Sequence, residues 1–246
     1  MNTFSDFRAN HFEKYNWLCD QNFASWIVEN IETYGDSILD VGVGNGFMLP
    51  FYTKAFKIVG AIEPCEELRK KIENDKRYEN IIIKDGQAES IPFQENSYDF
   101  VISKSSLHHF SDIKKGLLEM KRTARIGIGI VEVIAPCDIC ISFLEEILLM
   151  KEKKRDISSI YTEKRLEKLF QLYLDYEKLF QLHYDQYIDV EKWVKYSDLN
   201  KWEQKELLDK IQGCHEDLKR ILHIHVRDGR LVMLRRMCLN ILQLKK

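Results

Sequence analysis

A chain of 246 residues is long enough for one large α/β domain, with or without an inserted cap. Its hydrophobic share of 45% can fill a core, and its formal net charge of -2 gives no electrostatic reason to expect nucleic acid or an anionic membrane as the main partner. Residues 1–15 contain no apolar signal region, and no apolar run is long enough to span a bilayer, so we expect a cytoplasmic protein.

The chain begins with an expected N-terminal helical segment over residues 1–33. Large apolar side chains recur there at roughly helical intervals, from Phe12 to Ile31. This pattern predicts one or two helices before the first strand.

A glycine-rich turn follows the first predicted strand. Residues 37–46 read S-I-L-D-V-G-V-G-N-G, which is typical of a buried strand, a tight turn and a helix start. Such a turn favours a nucleotide-type ligand, and Asp40 suits a ligand that carries an ammonium group or hydroxyls. The candidate binding residues are therefore Asp40, Gly42, Gly44 and Gly46.

The glycine spacing separates two ligand classes. A dinucleotide fingerprint, G-x-G-x-x-G, requires a small residue at its sixth position, where this chain has Phe47. The form D-V-G-x-G-x-G instead resembles the first motif of the class I S-adenosylmethionine-dependent methyltransferases. An NAD-type oxidoreductase remains a less favoured alternative.

The second predicted strand, residues 57–62, ends at an acidic residue. Glu63 lies 21 residues after Gly42, where an acid can accept hydrogen bonds from both ribose hydroxyls. Because this geometry serves any adenosine-bearing ligand, Glu63 predicts adenosine without choosing between the two classes.

The stretch after the third predicted strand, residues 80–84, resembles another methyltransferase motif. The family usually has G-D-A-E-x-L-P-F, and this chain has D-G-Q-A-E-S-I-P-F from Asp85. The resemblance implies that the Gln87 side chain reads the exocyclic amine of adenine and that the Ala88 N–H reads a ring nitrogen. Asp85 is the alternative reader, because Gln87 replaces the usual acid.

Residues 97–110 resemble the family's fourth-strand signature, F-D-x-V-x-S-x-x-x-L-H-H-F. The resemblance implies a wall facing the cofactor's sulfonium, with Ser103 among the cofactor contacts. His108 and His109 are candidate catalytic bases for an acceptor that is a protonated oxygen or nitrogen. The alternative is that the pair is a structural loop element that hydrogen-bonds the backbone. Asp112 is the predicted N-cap of a helix.

The fifth strand departs from the family pattern. A proline-glycine turn normally precedes it, but residues 122–133 read R-T-A-R-I-G-I-G-I-V-E-V. We therefore expect a shorter loop, with the glycines displaced into the strand.

Beyond Pro136 the sequence resembles no particular subfamily. Helical periodicity covers residues 138–154 and 189–222, and the repeated E-K-L-F-Q-L predicts first a helix end and then the sixth strand. Residues 227–230 predict a turn, and residues 231–234 the final strand. Cys137 and Cys140 form a C-x-x-C that is interpreted as two ordinary buried or half-buried thiols, with redox or metal use as the alternative, and no metal site is expected.

The resemblance implies an α/β fold: a Rossmann-like three-layer α/β/α sandwich, with a mostly parallel seven-stranded sheet, an antiparallel last strand and a helical cap. We expect a single methyltransferase domain over residues 1–246, with a cofactor-binding core at 34–135 and cap insertions at 136–175 and 187–222.

The expected function is S-adenosylmethionine-dependent methyl transfer to a small-molecule acceptor. A non-catalytic or regulatory S-adenosylmethionine-binding module is the alternative, because Gln87 and the missing proline-glycine turn depart from the family pattern. No nucleic acid or membrane partner is expected, and a homodimer is kept open.

Overall fold

Strands alternate with helices through the first half of the chain. The computed structural model describes residues 20–151, 160–197 and 199–245, so the predicted helical pattern before residue 20 lies outside the described residues. Within the described residues the strands are β1 (Ser37–Val41), β2 (Ile58–Ile62), β3 (Ile82–Lys84), β4 (Tyr98–Lys104), β5 (Ala124–Ile134), β6 (Tyr176–Asp189), β7 (His225–Arg227) and β8 (Arg230–Leu244).

Helices fill most of the intervals between these strands. Asp20 and Asp112 cap the first and fourth helices by accepting backbone N–H bonds, as predicted for Asp112. In the described part of the chain the α-helices are α1 (Gln21–Ile31), α2 (Leu49–Ala55), α3 (Glu66–Glu73), α4 (Ile113–Thr123), α5 (Asp138–Lys151), α6 (Glu163–Tyr173), α7 (Val190–Lys195), α8 (Lys201–Gln212) and α9 (Glu216–Ile221). None of them is long and apolar enough to cross a membrane.

The chain divides into two compact units. The first unit comprises residues 1–132, 169–182 and 239–246. Its strand segments follow the order β3-β2-β1-β4-β5-β8-β6, with β1 to β5 pairing in parallel. Every residue of β1 is buried, as expected for a central parallel strand. The fold is thus the expected Rossmann-like sheet, mostly parallel, with antiparallel later strands.

The carboxyl ends of these parallel strands form one edge of the sheet. In register, Asp40 lies beside Ala61 of β2 and Ile102 of β4, so the residues that follow these strands lie next to one another. The candidate functional residues at this edge are Asp40, Glu63 and Ser103.

The junction between α4 and β5 confirms the predicted displacement of glycines. Helix α4 ends at Thr123 and β5 begins at Ala124, so there is no loop between them. Gly127 and Gly129 lie inside the strand, where a Cβ would come within 3.0 and 2.8 Å of the Phe100 ring. These glycines make room for an aromatic side chain on the neighbouring strand.

The second unit comprises residues 133–168 and 183–238. It contains α5 and α7 to α9, so helices fill most of the ranges predicted as cap insertions. Within this unit, Lys210 of α8 makes a 2.5 Å ion pair with Glu146 of α5. The assignment of these helices to a cap stays a prediction.

The end of the chain differs from the prediction. The sequence predicts the final strand only at residues 231–234, but β8 continues to Leu244, and the short β7 adds an eighth strand by pairing with β8. The sequence pattern did not indicate that the strand continues, because two charged residues, Arg235 and Arg236, follow Leu234. Arg236 is matched by Asp185 of β6 through bonds of 2.7 and 2.6 Å, which a linear sequence pattern cannot reveal. The predicted turn is present, with positive φ at Asp228 and Gly229.

Candidate functional site

The glycine turn after β1 has the conformation that its sequence predicts. Gly42, Gly44 and Gly46 all have positive φ, at +80°, +61° and +77°, where a side chain would be strained. The Gly42 N–H donates to the Ile62 carbonyl at 3.0 Å, which fastens the turn to the end of β2. Helix α2 begins only at Leu49, slightly later than expected.

Asp40 is a buried carboxyl group with an unsatisfied oxygen. Its side chain is almost fully buried, and Oδ1 has no hydrogen-bond partner among the described residues. Burial raises the pKa of Asp40 to about 7; Lys104 opposes this shift and Glu63 adds to it. A ligand ammonium group fits this environment, because it would supply both the missing donor and the missing positive charge.

Glu63 lies at the end of β2 and contacts the glycine turn. One carboxylate oxygen accepts the Gly44 N–H at 2.8 Å, and the other accepts the Cys65 N–H at 3.0 Å. A carboxylate oxygen can accept more than one hydrogen bond, so these contacts leave capacity for ribose hydroxyls. The structure therefore brings Glu63 together with the turn.

Gln87 and Ala88 occupy the loop after β3. The Gln87 side chain is exposed, and the Gln87 backbone carbonyl accepts the Ser90 N–H at 3.0 Å, whereas Ala88 is buried. The end of β3 is connected to the end of β2 through Arg69, whose guanidinium donates to the Glu63 carbonyl and to Asp85. Among the described contacts, it is Asp85 and not the Gln87 side chain that binds Arg69 and so links the ends of β2 and β3.

Ser103 lies near the end of β4 and is fully buried. Its Oγ has no hydrogen-bond partner among the described residues, like Asp40 Oδ1. The Tyr52 hydroxyl is a third such atom, and burial followed by the Asp40 charge raises its pKa well above the ordinary value. Buried polar atoms are normally paired, so the unpaired atoms of Asp40 and Ser103 at the carboxyl edge of the sheet indicate a polar ligand.

The loop after β4 carries the two candidate histidines. Ser106 Oγ donates to the Gly42 carbonyl at 3.2 Å, so this loop contacts the glycine turn. His108 Nδ1 lies 2.9 Å from Glu132 Oε2, while His109 is exposed and lies against the His108 ring. No sequence motif marks Glu132 as a site residue, although an acid inside the apolar run of β5 is itself unusual.

The two close cysteines belong to the second unit. The sulfur atoms of Cys137 and Cys140 are 3.5 Å apart and not bonded as a disulfide. Burial, together with Cys137, raises the pKa of the Cys140 thiol to about 12, which makes it a poor nucleophile. Within the described residues, no group of three or more histidine, cysteine or acidic side chains could hold a metal ion.

Comparison with known proteins gives consistent results. A family model described as a methyltransferase domain matches residues 39–129. The uncharacterized methyltransferase YcgJ of Bacillus subtilis is 27% identical over 63% of this chain and 59% of its own length. An uncharacterized methyltransferase of Schizosaccharomyces pombe is 28% identical over 47% of this chain and 45% of its own length. The chain therefore spans about half the length of these curated relatives.

The fold agrees with a solved structure. The crystal structure of the YcgJ protein superposes with a TM-score of 0.80 at 16% identity, covering 92% of this chain and all of that one. The matched residues 39–129 begin just before Asp40 and extend into β5, so they include the glycine turn, Glu63 and the histidine pair. Residues 39–129 of this chain are therefore similar to the methyltransferase-domain family, in the segment where the sequence resembles the class I S-adenosylmethionine-dependent methyltransferases.

Proposed function

We propose that this protein transfers the methyl group of S-adenosylmethionine to a small-molecule acceptor. The observation that carries the proposal is the unpaired, buried Asp40 carboxylate oxygen beside a turn of three positive-φ glycines. Without a bound ligand, the buried Asp40 carboxyl group lacks a hydrogen-bond donor among the described residues for one of its oxygens, which is costly. The net charge of -2 supports a small acceptor over nucleic acid.

Each residue of the site has a role in this proposal. Asp40 accepts hydrogen bonds from the ammonium group of the cofactor, and Glu63 accepts them from the ribose hydroxyls. The glycine turn lets the backbone approach the ligand without a Cβ in the way. The Ala88 N–H and either Gln87 or Asp85 read the adenine, and Ser103 faces the ligand from the end of β4.

The chemistry requires alignment more than activation. When bound, S-adenosylmethionine supplies a methyl group on a positively charged sulfur and a neutral leaving group. The protein therefore has to hold the acceptor in line with that methyl group and exclude water. The loop from Ser105 to His109 is the described element that contacts the turn on this side, through Ser106.

Calorimetry with purified protein tests the binding part of the proposal. We expect S-adenosylmethionine to bind, Gly44→Val to abolish binding because valine is strained at φ +61°, and Glu63→Ala to weaken it. The matched control is Asp36→Asn, since Asp36 makes an exposed ion pair with Lys57. Tighter binding of NADH than of S-adenosylmethionine would contradict the proposal.

A labelling experiment tests the catalytic part. The protein is incubated with methyl-labelled S-adenosylmethionine and a protein-free metabolite extract, and labelled products are separated by chromatography. We expect label in at least one small molecule. Donor binding without any labelled product would favour a non-catalytic binding module instead.

A further inference from the structure

Glu132 is a buried acid that makes two contacts with the same loop. Its side chain is 3% exposed. Oε1 accepts the Leu107 N–H at 2.8 Å, and Oε2 lies 2.9 Å from His108 Nδ1. One carboxylate therefore fixes both the backbone of the histidine loop and the imidazole ring.

Such an acid is costly unless it has a partner. The flanking strand residues, from Ile128 to Ile134, are apolar apart from Gly129 and Glu132 itself. An isolated carboxylate in these surroundings would lose its hydration without compensation. The contact with His108 provides a hydrogen bond at all times and an opposite charge whenever the imidazole is protonated.

The carboxylate also selects a tautomer of the ring. An ionised Glu132 can only accept hydrogen bonds, so at 2.9 Å from Oε2 the Nδ1 atom carries the ring hydrogen and donates a hydrogen bond to the carboxylate. The lone pair of the neutral ring then resides on Nε2, which becomes the basic nitrogen. Since Ser106 of the same loop contacts Gly42, this base lies in the loop adjoining the proposed cofactor site.

We propose that His108 is the general base of the methyl transfer, that Glu132 is its positioning residue, and that the acceptor is therefore a hydroxyl or a protonated nitrogen. This proposal rests on the proposed function above. A positioned base contributes most where the nucleophilic atom itself holds its proton tightly at neutral pH, as a hydroxyl or an ammonium group does.

The reaction balances without a further reagent. The acceptor oxygen, or the acceptor nitrogen once it has lost its proton, forms a bond to the methyl carbon with a lone pair, and the carbon–sulfur bonding pair stays on the sulfur. The acceptor's proton moves to His108 Nε2, and Glu132 stabilises the resulting imidazolium. Release of that proton to water restores the neutral ring.

The first test is spectroscopic and does not need turnover. Nitrogen-15 NMR of the histidine rings distinguishes the protonated nitrogen from the one with the lone pair. We expect His108 to be protonated on Nδ1 in the wild type and in Glu132→Asp, and to lose this preference in Glu132→Leu, which removes the acceptor. An unchanged tautomer in Glu132→Leu would overturn the role of Glu132.

The chain provides a matched control for this test. His183 and Glu163 form an exposed pair at 3.4 Å in which both side chains are more than a third exposed. Glu163→Leu should leave the spectrum of His108 unchanged. If Glu132→Leu does not fold, Glu132→Gln takes its place in this test, because the amide keeps the volume of the side chain while removing its negative charge.

The second test measures turnover with the labelled donor and the metabolite extract, with the labelled atom identified by NMR. We expect an O-methyl or N-methyl product, a kcat lowered about 100-fold or more in His108→Gln, and unchanged donor binding. Glu132→Asp should retain more activity than Glu132→Leu. Label on carbon or sulfur, or full activity of His108→Gln, would overturn the inference. Donor binding without any label transfer would overturn the proposed function instead, and the inference with it.

Discussion

At the scale of single residues, the candidate site is defined by how each acid is compensated. Glu63 is satisfied by backbone N–H groups and Glu132 by a histidine and an N–H group, whereas Asp40 keeps an unpaired oxygen. The sequence predicted Asp40 and Glu63, because their spacing from the glycines is local. It did not predict the role of Glu132, because the contact with His108 spans 24 residues and exists only after β4 and β5 pair.

The Asp40 carboxyl should destabilise the ligand-free protein at neutral pH. Its folded pKa of about 7 exceeds the ordinary 3.8, so the folded state holds more protons in this window and stability falls as pH rises through it. Asp40→Asn removes this fall. We expect the free energy of unfolding of this variant, measured by urea titration, to be roughly 2–4 kcal/mol higher than that of the wild type at pH 8. The difference should shrink toward pH 4.

Asp99 provides a control of opposite sign. Burial alone would raise its pKa, but hydrogen bonds from Ser37 and Arg125 outweigh that effect and hold the pKa below its ordinary value. Asp99→Asn should therefore be less stable than the wild type at pH 8, with a difference that shrinks as the pH falls. Equal behaviour of the two variants would contradict our account of Asp40.

At the scale of elements, local pattern predicted most strands and helices, and long-range pairing explains the exceptions. The abrupt change from α4 to β5 followed from the missing proline-glycine turn. The full length of β8 did not follow, because the compensation of Arg236 by Asp185 involves residues 51 apart in sequence. Asn240, also in β8, is a second polar residue whose partners are distant in sequence. Its buried amide donates to the Ile130 carbonyl of β5 and accepts from Gln181 of β6.

Strand β5 should be sensitive to added volume at its glycines. A Cβ at Gly129 would lie 2.8 Å from the Phe100 ring, so Gly129→Val overpacks the space between two central strands. We expect a loss of about 1–3 kcal/mol in the free energy of unfolding, measured by urea titration. The control is Ile126→Ala on the same strand, where the side chain is 36% exposed. An unchanged midpoint for Gly129→Val would show that the strands can move apart.

At the scale of the whole molecule, the fold class was predictable because several different motifs of one fold follow each other in the expected order along the first half of the chain. The resemblance covered that half only, and the second unit lies almost entirely beyond it. Helices were predicted there from periodicity, but their relation to a substrate was not, since no motif in that region specifies a ligand.

Ligand binding should be visible in the stability of the whole protein. S-adenosylmethionine at one hundred times its dissociation constant should stabilise the folded state by about 2.7 kcal/mol. For a chain of this length, that corresponds to a rise in melting temperature of roughly 5–10 °C, measured by differential scanning fluorimetry. Gly44→Val should show no rise. An equal rise in that variant would mean that the ligand binds away from the glycine turn.

The hydrogen bond between Glu63 and the Gly44 N–H has a consequence for inhibitor design. The same carboxylate holds the turn and, in the proposed binding mode, receives the ribose hydroxyls. Binding of a nucleoside at Glu63 is thereby linked to the conformation of the glycine turn, which is proposed to bind the amino-acid end of the cofactor. Thermodynamic linkage makes the effect on the two binding affinities reciprocal. Fragments such as adenosine and methionine should therefore bind cooperatively or antagonistically rather than independently, and their separate affinities will not predict that of a joined molecule.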